Sequence, residues 1–208
     1  MIALGESNRS WLERSGDRST QTGRPRWITK ARDRIGRSRG GVSRVDDGPI
    51  AVEREMEFVM DIETTRFGKL SVDDERIMTF PRGLLGFPDY GRYALIATGE
   101  DNYFFWLQSV DEPGLAFVVT DPSIFFKDYD VPIREETQAD LNLTDVRFLQ
   151  TFVICNKVDE WLTGNLLGPI VVNAENRLAM QVVLTEKKWT TRQPLFKLQA
   201  GVPLAKSA

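Results

Sequence analysis

From Met56 onward, turn signals cut the chain into short β-branched and aromatic runs about every eight to twelve residues, the spacing of a sheet sandwich or barrel. Phe58, Met60 and Ile62 alternate with Val59, Asp61 and Glu63, which predicts a strand with one buried face. Further strands are expected at 76–80, stopped by Pro81, and at 93–98, 103–108, 115–120, 148–155, 168–172 and 178–184. None of these runs carries an apolar stripe of helical period long enough to form a layer. Two short helical pieces are expected. One opens with Asp121 as cap and Pro122 in the first helical position, and the other covers 138–143. The fold class is therefore all-β: a small antiparallel barrel-like domain, closed or partly open, with short helical turns. Closing the sheet on itself would hide its edges.

Residues 1–55 are of another kind, rich in Arg, Ser and Gly, with no apolar period that lasts more than a few positions. Burial in such a segment cannot offset the entropy lost on ordering it, so a disordered basic extension is expected. Eleven of its twelve basic residues are Arg, as an over-extended translation of GC-rich upstream DNA would give, with Met56 or Met60 as the true start. The alternative is an RNA-binding module acting through this arm. The division is thus 1–55 extension, 56–200 β-domain and 201–208 C-terminal tail. Against its 12 basic residues the extension has 8 acidic ones, leaving 15 basic and 22 acidic in 56–208. The folded part thus carries −7, where the whole chain carries −3. Such a domain repels phosphate backbones, which bind by releasing counterions to Lys and Arg, and suits a basic protein partner.

The chain has no histidine, which removes Ser-His-Asp and Cys-His chemistry and leaves zinc almost without ligands. Its single cysteine, Cys155, follows Phe152-Val153-Ile154 and reads as a small buried hydrophobe. No phosphate-binding or dinucleotide fingerprint is present, so neither catalysis nor a cofactor is expected. No apolar stretch reaches the roughly 18–20 residues of a membrane helix, and the N-terminus lacks a secretory h-region, so the expected location is the cytoplasm. Asp111 and Glu112 precede Pro113-Gly114 and read as turn residues, Asp111 capping and Glu112 facing water. A hydrolase or small-molecule barrel would instead need acids such as Asp111 and Asp121 facing each other across a pocket.

Three ordered blocks carry a family resemblance. Phe80-Pro81-Arg82-Gly83-Leu84-Leu85-Gly86-Phe87 resembles the Phe-Pro-x-Gly-Leu-x-Gly-Phe loop of the FliW family of flagellar assembly factors. Physically, Pro81 ends a strand, Gly83 and Gly86 allow positive φ or close approach, and Leu84 and Phe87 can plug a barrel end. The run 105–117, containing Gln108, Asp111 and Pro113, followed by Asp121-Pro122, is similar to the family's second block. Asn165, Pro169 and Asn173, with 181–184, are similar to its closing hairpin, although Gly168 stands where Ala is common and Trp189 where Tyr is common. The resemblance spans about 60–195. It implies a non-enzymatic protein that binds the RNA-binding translational repressor CsrA, relieves repression of flagellin mRNA, and binds flagellin as a chaperone-like partner.

For the contact surface, the acidic set Asp128, Asp130, Glu135, Glu136, Asp140 and Asp145 would face a basic repressor, with Phe126 and Tyr129 as aromatic anchors beside it. The consecutive aromatics Tyr103, Phe104, Phe105 and Trp106 send two side chains to each face of a strand. The outer pair either packs under a loop or marks an exposed patch.

Overall fold

The computed structural model describes residues 59–97 and 103–198. The expected extension 1–55 and tail 201–208 lie outside the described residues, as do Phe58 and Thr98.

The first two strands, β1 (Val59–Thr64) and β2 (Gly68–Asp73), form an antiparallel hairpin of their own. A nine-stranded antiparallel sheet follows: β3 (Ile77–Thr79), β4 (Arg92–Ala97), β5 (Phe104–Ser109), β6 (Ala116–Thr120), β7 (Leu149–Val158), β8 (Trp161–Gly164), β9 (Ile170–Asn173), β10 (Ala179–Gln181) and β11 (Gln193–Lys197). Among the described residues, single 3₁₀ turns sit at Asp74–Arg76, Pro122–Ile124 and Val146–Phe148, and one α-helix, α1, spans Glu135–Asp140. Helix α1 lies three residues N-terminal of the position expected from the sequence. The hairpin strand β2 and the short strands β8 and β11 were not among the expected segments.

The main path runs β10-β9-β7-β6-β5-β4-β3. Strand β7 is long enough to serve two neighbours in turn, pairing β9 through 149–152 and β8 through 155–158, and β11 then adds to β8. The ladder is not closed. Its two ends meet only at an isolated parallel bridge between Thr79 and Leu178, where the Thr79 N–H donates to the Arg177 carbonyl at 3.0 Å. The partly open form is the one realised, and the sheet keeps free edge.

Alternation along β5 sorts its aromatics. Phe105 and Leu107 join Met78, Phe80, Tyr93 and Phe117 in the largest core cluster, whereas Phe104 and Trp106 join a second one with Val118, Cys155 and Leu162. The outer pair is covered, not exposed. Phe67 of the β1–β2 turn meets Trp106 edge-on at 5.9 Å, the Arg66 guanidinium lies 4.8 Å from the same ring, and Phe196 of β11 approaches Phe104 at 6.0 Å. The hairpin is held down by Ile62 and Val72 against Ala94 and by the Thr65 N–H donating to the Pro113 carbonyl at 3.0 Å. Removing a side chain of this size from water contributes roughly 1.5–3 kcal/mol, so the two clusters on either face of β5 dominate the domain's stability. Cys155 is buried in the second cluster, and burial pushes its thiol well above the usual range, so the sulfur packs as a hydrophobe.

Candidate protein-interaction surface

The loop after β3 is built for packing. Phe80 and Leu84 are buried, and Phe87 meets Phe117 edge-on at 5.2 Å. The Gly83 N–H donates to the Phe80 carbonyl at 3.0 Å and the Phe87 N–H to the Leu84 carbonyl at 2.8 Å. Gly83 has φ +62°, and a Cβ there would collide with the Phe87 carbonyl oxygen and the backbone of Pro88, so only glycine fits. Gly86 also has positive φ, +88°. One large aliphatic side chain in this loop points outward: Leu85 is 59% exposed.

The second block closes the turn after β5 with its own side chains. Gln108 is fully buried, and its Nε2 donates to the carbonyls of Leu115 at 3.0 Å and Ser109 at 3.1 Å. Asp111 does not cap this turn. Ser109 does, its Oγ accepting from the N–H groups of Asp111 and Glu112 at 3.3 and 3.1 Å, while Glu112 accepts from the Gly114 N–H at 3.0 Å. A hydroxyl two residues upstream reaches both amides, which leaves the Asp111 carboxylate to pair with Arg92 at 2.5 Å. Glu112 is likewise a turn element and not a free surface charge. Asp121 does cap the 3₁₀ turn at Pro122–Ile124, accepting from the Ser123 N–H at 2.9 Å, and it also accepts from Gln150 Nε2 at 3.2 Å. Asp111 and Asp121 are thus held by separate local partners.

The closing hairpin fastens the middle of the chain to the sheet. Buried Asn173 donates from Nδ2 to the carbonyls of Leu141 at 3.0 Å and Asn142 at 3.1 Å, just past α1, and accepts from the Glu175 N–H at 3.0 Å. Asn165 accepts from the Gly168 N–H at 3.0 Å beside buried Pro169. A Cβ at Gly168 would lie 2.7 Å from Asn165 Nδ2, so an alanine here would require the Asn165 amide to shift.

The expected aromatic anchors are engaged within the fold. Phe126 and Tyr129 are half-buried, each edge-on to buried Trp189 at 5.2 and 5.3 Å, and the Tyr129 hydroxyl donates to the Leu166 carbonyl at 2.8 Å. Burial, with Glu186 nearby as a smaller cause, pushes that hydroxyl's ionisation well up. Lys188 lies 4.7 Å from the centre of the Trp189 ring and pairs with Asp128, and the hydrogen bond from Lys188 holds the Asp128 carboxyl below its usual range. Asp140 pairs with Arg82 at 3.0 Å. Asp145 pairs with Arg147, whose hydrogen bonds lower the carboxyl's pKa. What remains open is Asp130, Glu135 and Glu136, exposed and without an ion pair among the described residues. Lys188 escaped sequence reasoning and Trp189 entered it only as a departure from the family's Tyr, because a lone aromatic in a charged run has no periodic neighbour.

Helix α1 and the chain leaving β10 flank a groove of about 360 Å³, with Met180, Val182 and Leu184 on one side, Thr137 on the other and Arg82, Arg134, Glu136 and Glu186 along its rim. Neither Asp111 nor Asp121 lines it.

Residues 61–195 match the family model described as FliW protein. Over 140 residues the chain is 42% identical to the flagellar assembly factor FliW of Magnetococcus marinus, covering 66% of this chain and 85% of that protein. Over 138 residues it is 36% identical to the flagellar assembly factor FliW of Bacillus subtilis, covering 65% of this chain and 96% of that one. A crystal structure of the flagellar assembly factor FliW superposes with a TM-score of 0.60 at 32% identity, covering 66% of this chain and 97% of the solved one. The matched span takes in the Gly83 loop, the Gln108 turn and the Asn173 tether, and on that ground the chain belongs to the FliW family.

Proposed function

We propose that this chain is a non-catalytic, cytoplasmic flagellar assembly factor that binds the translational repressor CsrA, relieving repression of flagellin mRNA, and binds flagellin as a chaperone-like partner. Membership of a family whose relatives are named flagellar assembly factors is the observation that carries the flagellar role. The choice of partners rests on the resemblance of the three blocks and on charge. Asp130, Glu135 and Glu136 stand exposed on a segment that Asn173 ties to the sheet, so they present negative charge from a fixed position. Rim charges of this kind act mainly on association rate and salt dependence. Phe126 and Tyr129 support the surface from beneath, through Trp189, and contribute contacts only at their exposed edges.

Calorimetric titration of the full chain, and of residues 56–208, with purified CsrA and purified flagellin tests the reading. Each partner is expected to bind both forms at micromolar concentration, and the CsrA complex is expected to weaken as salt rises. Absence of both complexes ends the proposal. Binding of RNA by the full chain that vanishes with residues 1–55 would replace it with the basic-arm reading.

A further inference from the structure

The groove beside α1 is bounded by a strand edge that has no pairing strand among the described residues. The Val182 N–H donates to the Pro169 carbonyl at 2.9 Å and the Leu184 N–H to the Leu167 carbonyl at 2.8 Å, continuing the β10–β9 register by three residues beyond Gln181. In an antiparallel ladder, residues between such bonded pairs turn their N–H and C=O to the opposite side, so the backbone of Val183 faces away from β9. The other end of the main path reaches this edge only at Leu178, through the bridge to Thr79. Open edges are commonly blunted by Pro or a bulge, and β11 has both, with Pro194 and a register shift beside it. Residues 181–185 contain neither proline nor glycine.

Two exposed aliphatic side chains mark the same place. Val183 is 66% exposed and Leu85 is 59% exposed, and they flank Gln181, whose Oε1 accepts from the Leu85 N–H at 3.1 Å and whose Nε2 donates to the Gly168 carbonyl at 2.9 Å. Gln181 therefore fixes the motif loop against the edge strand and holds Leu85 beside it. On the rim, Arg82 is already paired with Asp140, which leaves the carboxylates of Glu136 and Glu186 against the single guanidinium of Arg134. The charge excess is negative, as in the domain as a whole.

We propose that this edge is a strand-addition site: an extended segment of a partner protein, alternating apolar and basic residues, pairs with the backbone of 181–185. Its apolar side chains lie against Val183 and Leu85 and its basic ones reach Glu136 and Glu186. Backbone bonding supplies affinity, and the alternate side chains supply selectivity. The inference rests on the reading of this chain as a protein-binding factor, but not on the identity of its partners.

The test uses the full chain and a fluorescent ten-residue peptide alternating valine and lysine, followed by anisotropy. Two control peptides accompany it, one with glutamate for lysine and one N-methylated at alternate backbone nitrogens. The valine–lysine peptide is expected to bind, and both controls are expected to bind at least about tenfold more weakly. Val183→Pro, which removes the outward N–H, and Leu85→Ser, at an exposed loop position, are each expected to weaken binding of the valine–lysine peptide by about the same factor. Circular dichroism checks that each variant is folded, and Leu85→Ser alone decides if Val183→Pro is not. No binding, equal binding by the N-methylated peptide, or unchanged binding to both folded variants would overturn the inference; the last would be ionic adhesion to the acidic surface. If CsrA and flagellin bind the chain and both variants normally while the peptide fails, the strand-addition site falls and the proposed function stands. If the peptide behaves as expected while neither protein binds, the function falls and the site stands.

Discussion

The Gly83 loop and Gln108 turn, within residues 80–121, differ from residues 128–145 and 181–186 in how completely they satisfy themselves. In the first region the turns consume most of their own polar groups: Gln108 Nε2 fills a ring of carbonyls although its Oε1 has no partner among the described residues, Ser109 and Glu112 take the exposed amides, Asp111 is paired with Arg92, and Leu84 and Phe87 pack into the core. In the second, a tethered segment carries three carboxylates without an ion pair among the described residues, and an edge strand turns its backbone outward beside two exposed aliphatics. Residues that are invested in each other hold a fold, and groups left open at fixed positions are the ones available to a partner. A motif that matches a family is therefore a guide to the scaffold first and to the docking surface only by exclusion.

Substitutions that strike the self-satisfied region should cost the most. Gly83→Ala places a Cβ against backbone at positive φ and should lower stability by about 3 kcal/mol or more, read as the urea midpoint. A midpoint within error of the parent would mean the loop has another conformation open to it. Asn173→Ala sits on the boundary between the regions. It removes the bonds from Asn173 Nδ2 to the Leu141 and Asn142 carbonyls and leaves the Leu141 carbonyl held by Asn176 Nδ2 alone, with an expected loss of about 1–2 kcal/mol. Amide exchange should quicken at 135–145 more than in β4 to β6, which separates a local tether from a general weakening.

Tyr93, an exception together with Gln108 Oε1, tests the rule. Its hydroxyl is buried with no hydrogen-bond partner among the described residues, so Tyr93→Phe should leave stability unchanged or raise it by up to about 1 kcal/mol. Burial, helped by Tyr90 and Asp111, pushes the hydroxyl's pKa up to about 12. A raised pKa favours the protonated folded state, so the associated stability is present below the ordinary tyrosine value near 10 and is lost as pH rises toward 12. The variant should flatten that alkaline decline in a pH series of melts. Smallest of all, Lys188→Ala should leave the melting temperature within error while the Asp128 carboxyl, followed by NMR, titrates at a higher pH than in the parent.

The sequence disclosed the central strands because β4, β5 and β6 are continuous apolar runs bounded by turns, and it disclosed the Asp121 cap because Asp-Pro carries its own mechanism. Strand β8 stayed hidden because four residues, Trp161–Gly164, are too few to show a period, and β11 because Pro194 argues against a strand until its place on an edge is known. In β2, Leu70 and Val72 do alternate with polar residues, but the short run is bounded by Gly68 and Asp73 and reads as part of a turn. The acidic set was legible as composition; which members remain unpaired was not. That depended on Arg82 and Lys188, which reach Asp140 and Asp128 from distant parts of the chain. The outward-facing edge at Val183 depends on register, which the run Val182-Val183-Leu184 does not display.

The direct test of where partners dock is amide hydrogen exchange on the full chain, alone and saturated with purified CsrA and, separately, with purified flagellin. The account predicts that protection gained on binding concentrates in 128–145 and 181–186, with β4 to β6 and the β1–β2 hairpin unchanged. Protection gained on the hairpin or around the Gln108 turn, with 128–145 and 181–186 exchanging as in the free chain, would contradict it.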